Sequence, residues 1–135
     1  TVRIKKGLSM EKTQIFKEEK LEIQVEELQN LIKVRWLGQC TLRNPSQFLM
    51  PILNDQLTIC IKNSKRLVLD FTKTNQMNSS GVIPIIQILK KVKDNRGSVQ
   101  VLYNNLERWQ TVLIGELKLF ETEDNRIQVI GIKPT

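Results

Sequence analysis

The chain has 135 residues, of which 40% are apolar and 5% aromatic, and its formal net charge is +7. This length fits one domain, whose core must be built mainly from Leu, Ile and Val. The absence of histidine excludes Ser-His-Asp and Cys-His catalysis and all histidine metal sites. No carboxylate pair stands at an informative spacing, and no apolar stretch reaches the roughly 18 residues of a membrane span. A Ser-Lys or carboxylate mechanism is not excluded, but nothing in the sequence supports one, and we expect no enzyme activity, catalytic residue, metal or cofactor.

The two cysteines, Cys40 and Cys60, are too few for a disulfide scaffold or a zinc knuckle, and they do not form a CxxC motif. Free thiols are the rule in reducing compartments. We expect both cysteines to be unpaired and the protein to be cytoplasmic.

Residues 1–19 carry many charges and show no clear hydrophobic period. We interpret them as an N-terminal extension or tail, with a short helix around Glu11 to Lys20. The predicted domain covers residues 20–132. It begins with two alternating segments, Leu21 to Val25 and Ile32 to Trp36, separated by a plausible turn at Gln29-Asn30. Alternation of this kind predicts a β-hairpin, which we expect to close at Gly38.

Asn44-Pro45 is a typical helix start, and a run of apolar residues then falls on one helical face. The residues of that face are Phe48, Leu49, Ile52, Leu53 and Leu57. Pro51 lies inside this pattern and cannot donate a backbone hydrogen bond, so we expect a kink or a late helix start there. Arg66 to Phe71 then reads as a central strand.

The second helix is predicted from Val82 to about Asp94-Asn95. Its apolar stripe has the spacing i, i+3, i+4, i+7 and consists of Val82, Ile85, Ile86 and Leu89. Pro84 falls in or just past the first turn, which we expect to be irregular. Gly97 follows the helix end as a terminator.

Alternation at Val99, Val101 and Tyr103 predicts another strand. Asn104-Asn105 is then expected to cap a third helix, and a last strand is expected near Ile127 to Ile132. The inward positions of the third helix are predicted at Leu106, Trp109, Leu113, Leu117 and Phe120.

The predicted order is β-β-α-β-α-β-α-β. Strands separated by helices favour parallel neighbours joined by right-handed crossovers, and the initial hairpin makes the sheet mixed. The sequence therefore predicts an α/β fold with a mixed, mostly parallel sheet and helices packed mainly on one face.

The segment LVLDFTKTNQMNSSGV, residues 67–82, holds the most informative motif. A buried-strand pattern ending in Asp70 leads through a polar loop to Asn78-Ser79-Ser80-Gly81, and an apolar helix pattern follows at once. A serine at a helix N-terminus lies where unpaired backbone N–H groups and the helix dipole favour a phosphate. Serine is also a favoured N-cap that needs no function.

This segment resembles the signature of the STAS domain, the fold of bacterial anti-sigma factor antagonists. In that family a strand ending in Leu-Asp leads to Asp-Ser-Ser-Gly or Asp-Ser-Thr-Gly, and the first serine is phosphorylated. The opening residues LEIQVEELQNLIKVRWLGQC also resemble the first STAS strands. The likeness covers about residues 20–132 and implies a STAS-like fold. The usual aspartate of the motif is Asn78 here.

The resemblance implies that Ser79 is the phosphorylated residue of a partner switch. The implied partners are an anti-sigma factor or serine kinase and a PP2C-type phosphatase. The switch loop and partner contact are expected to lie between Thr72 and Gly81 and on the following helix. The residues assigned to them are Asp70, Thr72, Asn78, Ser80, Gly81, Gln87, Lys90 and Lys91. If the family's aspartate orients the serine for its kinase, Asn78 weakens phosphorylation.

Two other functions stay open. One is a STAS-type structural subunit of another assembly, such as a transporter complex, without phosphorylation. The other is a nucleic-acid or small-ligand binder that uses basic groups such as Lys62, Lys65 and Arg66. No aromatic residues are interleaved with these groups to stack bases, so solvated basic faces are the favoured interpretation and nucleic-acid binding is not expected.

Overall fold

The computed structural model describes residues 2–6 and 12–134. Eight strands form one sheet: β1 (Val2–Lys6), β2 (Lys12–Glu18), β3 (Leu21–Glu27), β4 (Leu31–Cys40), β5 (Arg66–Asp70), β6 (Thr74–Met77), β7 (Val99–Asn104) and β8 (Ile127–Ile132). Within these ranges three α-helices connect them: α1 (Pro45–Asn63), α2 (Ile83–Asp94) and α3 (Arg108–Leu113). Short 3₁₀ helices at Ser79–Val82 and Gly115–Phe120 precede α2 and follow α3. Across the described ranges, no helix has both the length and the apolar character that crossing a membrane requires.

The strands lie in the order β1-β2-β3-β4-β5-β7-β8, and β6 pairs with β4 beyond the end of β5. The pairs from β1 to β4 are antiparallel. The pairs β4–β5, β4–β6, β5–β7 and β7–β8 are parallel. The parallel strands are added in one direction across the sheet, and crossovers of this kind almost always have the same hand. The connecting helices therefore lie on the same face.

The register confirms which face the helices cover. Alternate residues of β3, β4, β7 and β8, together with Leu67 and Leu69 of β5, are buried and form one core with the helices. Across β3, β4 and β5, for example, Val25 lies opposite Val34, and Val34 lies opposite Leu69. The predicted α/β fold is confirmed, with a mixed, mostly parallel sheet and helices on one face. From Leu21 onward the main elements follow the order that the STAS resemblance implies, with the short β6 added.

The other face of the sheet carries both charged and apolar side chains, and no helix of the described chain covers it. Lys33 and Arg35 of β4 lie 3.8 and 3.9 Å from the Asp70 carboxylate, and Arg35 also lies 3.8 Å from Glu26. Alternate residues of one strand point to opposite sides, so burial of Val34 fixes the outward direction of its neighbours Lys33 and Arg35.

The short helix predicted around Glu11 to Lys20 is wrong. Residues Lys12–Glu18 form β2, which pairs antiparallel with β3 and places Phe16 opposite Ile23. Phe16 packs against the core. This packing and the pairing with β3 determine that the segment is a strand, because tertiary context outweighs the local preference of the sequence. The sheet thus continues through the described part of the predicted extension, whose residues 7–11 lie outside the described ranges.

Details of the helices α1 and α2 also differ from expectation. The helix α1 runs from Pro45 through Pro51, so the predicted late start at Pro51 is wrong. In α2 the fully buried stripe is Ile85, Ile88, Leu89 and Val92, while Val82 and Ile86 of the predicted stripe are only half-buried.

The third helical segment is broken into α3 and a 3₁₀ helix. Leu106 precedes α3 and is 65% exposed, so its inward placement was wrong. Asn104 does not cap a helix, because its side chain accepts the Leu106 N–H in a turn. Of the other predicted inward positions, Leu117 is buried, and Trp109, Leu113 and Phe120 are partly buried and pack against the core. Gln110 and Ile114 are also buried and were not predicted.

Glycine is required at the end of the β3–β4 hairpin. Gly38 has φ +86°, and a Cβ there would collide with the backbone carbonyl oxygen of Lys20. That same carbonyl accepts a hydrogen bond of 2.9 Å from Gln39 N–H. The sheet register shifts at Gly38 and Gln39, where β4 ends its pairing with β3 and begins its pairing with β6.

Both thiols are buried and unpaired, as expected. Burial raises the pKa of Cys40 and of Cys60 from an ordinary 9.0 to about 11. Between these two pH values the folded chain retains protons that the unfolded chain has lost. Stability is therefore fully present below about pH 9 and decreases as the pH rises towards about 11.

We predict that the free energy of unfolding falls across this alkaline range, and that it falls less steeply in a Cys40→Ala/Cys60→Ala variant. Urea denaturation at a series of pH values measures both slopes. The variant is the control for every other group of the chain that contributes to the alkaline slope. Equal slopes for the two proteins would contradict the thiol assignment.

Candidate functional site

The position of the serine loop, residues 78–81, depends on the length of β4. The first half of this strand pairs with β5, and its last residues, Gly38 to Cys40, pair with β6. The chain leaves the sheet after Asp70, turns, and returns as β6, with Thr74 N–H donating to Phe71 C=O at 3.0 Å. The Thr74 hydroxyl donates to Trp36 C=O at 2.9 Å and anchors the returning strand. Sequence analysis interpreted residues 74–77 as loop, because four mostly polar residues carry no strand period.

A buried glutamine holds β6 from the other side. Gln110 of α3 is fully buried; its Nε2 donates to Thr74 C=O at 3.1 Å, and its Oε1 accepts Asn104 N–H at 2.8 Å. One side-chain amide thus joins the start of β6 to the end of β7. Sequence analysis missed Gln110, although a polar residue among inward helical positions could have marked it.

The turn into α2 is capped by Asn78. Its backbone N–H donates to Cys40 C=O at 3.1 Å, which extends the pairing of β6 with β4 by one residue. Its Oδ1 accepts the Gly81 N–H at 3.0 Å and the Ser80 hydroxyl at 2.9 Å. Asn78 therefore supplies the cap, and Ser80 supports it.

Gly81 has a steric reason to be glycine. It is buried, and a Cβ there would lie 2.6 Å from Met77 Cγ and 3.2 Å from Cys40 Sγ. The missing side chain lets the capped turn pack directly onto the end of β6. Three of the four residues of the motif, Asn78, Ser80 and Gly81, therefore have a structural role.

The remaining residue of the motif, Ser79, is exposed. Within the described chain its side chain makes no hydrogen bond, in contrast to the Ser80 hydroxyl. The Ser79 hydroxyl is thus available to solvent at the first position of the 3₁₀ helix.

An exposed strip continues from this serine along α2. Ile83, Gln87 and Lys91 succeed one another at four-residue intervals and share one helical face, with Lys90 beside them. Ile83 is 48% exposed, so the strip has an apolar residue next to the serine loop. Sequence analysis assigned Gln87, Lys90 and Lys91 to the site but missed Ile83. Its place outside the i, i+3, i+4, i+7 stripe was the available signal.

The strip borders α1. The Ser46 hydroxyl lies 3.4 Å from Gln87 Oε1, and Lys91 Nζ donates to Asn54 Oδ1 at 2.7 Å. These contacts add two residues of α1, Ser46 and Asn54, to the surface that surrounds the strip. No sequence signal joins them to the serine motif, because the packing of α1 on α2 creates the contact.

The other predicted site residues form a separate group. Asp70 accepts hydrogen bonds from the backbone N–H and the hydroxyl of Thr72, at 2.9 and 2.7 Å. The same carboxylate pairs with Lys33 and Arg35 on the polar face of the sheet. Asp70 and Thr72 therefore close the turn after β5, and their hydrogen bonds do not reach the serine loop.

Among the described residues, no group of three or more Cys, Asp or Glu side chains could hold a metal ion. The serine loop offers one free hydroxyl, an apolar side chain and two lysines on an open surface. This arrangement suits contact with another protein, and it suits a hydroxyl that another enzyme modifies.

No family model matches the chain, and no curated protein matches it either. A search of solved structures finds the crystal structure of an uncharacterized protein from Shewanella loihica PV-4, described as a DUF3478 family member with a SpoIIAA-like fold. The two chains are 15% identical; the match covers 85% of this chain and 88% of the other, with a TM-score of 0.48.

We predict that Asn78→Ala destabilises the fold by about 1 kcal/mol, because the cap accepts two hydrogen bonds that alanine cannot accept. Asn78→Asp should preserve stability within about 0.5 kcal/mol, because a carboxylate oxygen accepts the same bonds and its charge suits a helix N-terminus. Urea denaturation measures both differences. A loss in Asn78→Asp as large as that in Asn78→Ala would show that the amide N–H₂ is required.

Proposed function

We propose that this chain is a regulatory protein-binding module of the anti-sigma factor antagonist type, controlled by reversible phosphorylation of Ser79 in a partner switch. The observation that carries the proposal is the division of roles in the serine motif. Asn78, Ser80 and Gly81 build the turn, while the Ser79 hydroxyl is exposed and takes no part in the cap. A residue with no structural duty can be modified without unfolding the loop.

The proposed contact surface consists of Ser79 and the exposed strip of Ile83, Gln87, Lys90 and Lys91, with the adjoining part of α1. An exposed isoleucine gives it an apolar centre, and the lysines favour a partner with acidic residues. The resemblance to the STAS family supplies the partner class: an anti-sigma factor or serine kinase, with a PP2C-type phosphatase that reverses the modification. The setting of such a switch is the bacterial cytoplasm.

Phosphorylation would act by charge and hydration. A phosphate on Ser79 adds about −1.5 to −2 charges and three acceptor oxygens at a surface that must lose water on binding. Its position beside Ile83 places that charge next to the apolar part of the strip. Each 1.4 kcal/mol of lost binding energy weakens a complex tenfold, so a few kcal/mol is enough to dissociate it.

We predict that Ser79→Asp abolishes binding of the anti-sigma factor, and that Ser79→Ala binds it and resists phosphorylation. Affinity capture with the variants side by side, followed by phosphosite mapping by mass spectrometry after incubation with the kinase and ATP, measures both effects. Thr111→Asp adds the same charge at an exposed position of α3 and should bind normally.

Asn78→Asp belongs in the same experiment, because it restores the carboxylate of the family motif at the cap. We expect it to raise the rate of Ser79 phosphorylation. Phosphate on Ser80 would overturn the assignment of Ser79. Phosphate on neither serine, even in Asn78→Asp, would favour the structural-subunit alternative.

We predict that Lys90→Glu weakens partner binding, and that the loss is larger at low salt, because exposed charges are screened over about 10 Å at 0.1 M salt. Lys62→Glu is the matched control, since it makes the same change at an exposed lysine near the end of α1. Titration calorimetry at two salt concentrations measures the difference. Equal effects of the two substitutions would place the contact outside the strip.

A further inference from the structure

A groove lies at the opposite edge of the sheet from the serine loop. Its volume is about 520 Å³, and its walls come from the end of α1, the residues that enter β5 and the loop that enters β7. Residues 64–66 lead into β5 and include its first residue, and residues 96–98 precede β7, whereas the serine loop follows the ends of β5 and β6. The groove is thus separate from the proposed switch.

Three cationic side chains line the groove: Lys65, Arg66 and Arg96. No carboxylate belongs to its lining. Lys65 Nζ donates to Glu27 Oε2 at 3.1 Å and to Leu28 C=O at 2.8 Å, so Glu27 balances one of the three charges. Arg96 is exposed and has neither a hydrogen bond nor an ion pair within the described chain. The groove therefore keeps an excess of positive charge.

The Arg66 guanidinium is fixed in the groove wall before any ligand binds. Its Nε donates to Ser98 Oγ at 3.1 Å, and one terminal nitrogen donates to Gln128 Oε1 at 3.1 Å. Its second terminal nitrogen has no partner in the described chain. Ser98 accepts from Arg66 and so can still donate its own hydroxyl proton, and the Ser64 hydroxyl lies on the same lining.

These donors suit a phosphate group. A phosphate has three acceptor oxygens and close to two charges near neutral pH, whereas a carboxylate has two oxygens and one charge. Arginine binds phosphate through parallel N–H donors, and a preoriented guanidinium loses less conformational freedom on binding.

The remaining lining is suited to a small molecule. Ile61 is 41% exposed at the groove, and the buried Cys60 lies behind it. Burial raises the pKa of Cys60 to about 11, so its thiol stays neutral and does not repel an anion. The groove volume falls within the roughly 300–1,000 Å³ of typical small-molecule sites. No aromatic residue lines the groove to stack a nucleic-acid base.

We propose that this groove binds a small phosphate-bearing molecule, with the phosphate held by Arg66 and Arg96 and a nonpolar part against Ile61. Inorganic phosphate and phenyl phosphate are the probes, because they share the phosphate and differ in the nonpolar part. Amide NMR shifts of the ¹⁵N-labelled chain during titration, against sodium chloride at equal ionic strength, measure binding.

We expect saturable shifts at residues 64–66 and 96–98, with phenyl phosphate binding more tightly than inorganic phosphate. Arg96→Gln should weaken both probes roughly tenfold, the effect of losing one charge-assisted hydrogen bond. Arg108→Gln is the matched control, because it removes the same charge from an exposed arginine beyond the other end of β7. Ile61→Ser should remove the advantage of phenyl phosphate and leave inorganic phosphate unchanged. Ser79→Ala should bind both probes as the wild type does.

Shifts of the same size with chloride would overturn the proposal. Equal weakening by Arg96→Gln and Arg108→Gln would also overturn it, since net charge and not the groove would then attract the anion. Tighter binding of a short single-stranded RNA, with loss of the phosphate response at the groove, would assign the basic surface to nucleic acid instead.

Discussion

The structure depends on the one-directional addition of parallel strands from β4 through β5 and β7 to β8. Because each crossover has the same hand, the connecting helices are directed to the same face of the sheet. That face requires apolar residues, and Val34, Leu69 and Val101 occupy successive strands at matching register. No helix of the described chain covers the opposite face, whose alternate positions include charged residues. The pairing of Asp70 with Lys33 and Arg35 is a consequence of that exposed face.

The same arrangement creates the serine loop. The strand β4 is longer than β5, and its unpaired end would expose backbone donors and acceptors at the edge of the core. The returning segment β6 pairs with that end, and Asn78 continues the pairing through Cys40 C=O. Asn78 then caps the turn into α2, which leaves the Ser79 hydroxyl without a structural partner in the described chain. The proposed switch residue is therefore free because its neighbours satisfy the turn.

The two edges of the parallel strands carry different chemistry. At the edge where the strands end, a free hydroxyl, Ile83 and Lys90 form an open surface suited to a protein partner. At the edge where the strands begin, Arg66 and Arg96 line a concave groove suited to a small anion. The length of the parallel strands separates these edges, so each can be tested with substitutions that leave the other intact.

The sequence by itself determined the sheet class, the main element order and the serine motif. Those features depend on local periodicity and on turn residues: alternation in β3, β4 and β7, the Asn44-Pro45 start of α1, and the strand–loop–helix context of Asn78 to Gly81. Only the tertiary structure decided the strand at Lys12–Glu18, where pairing of Phe16 opposite Ile23 overrode a weak local signal. The tertiary structure alone also determined three further features. They are the orientation of α2 that exposes Ile83, the burial of the Gln110 amide and the groove that both Arg66 and Arg96 line. Each of these arises from contacts between residues far apart in the chain, and hydrophobic periodicity within one element carries no information about such contacts.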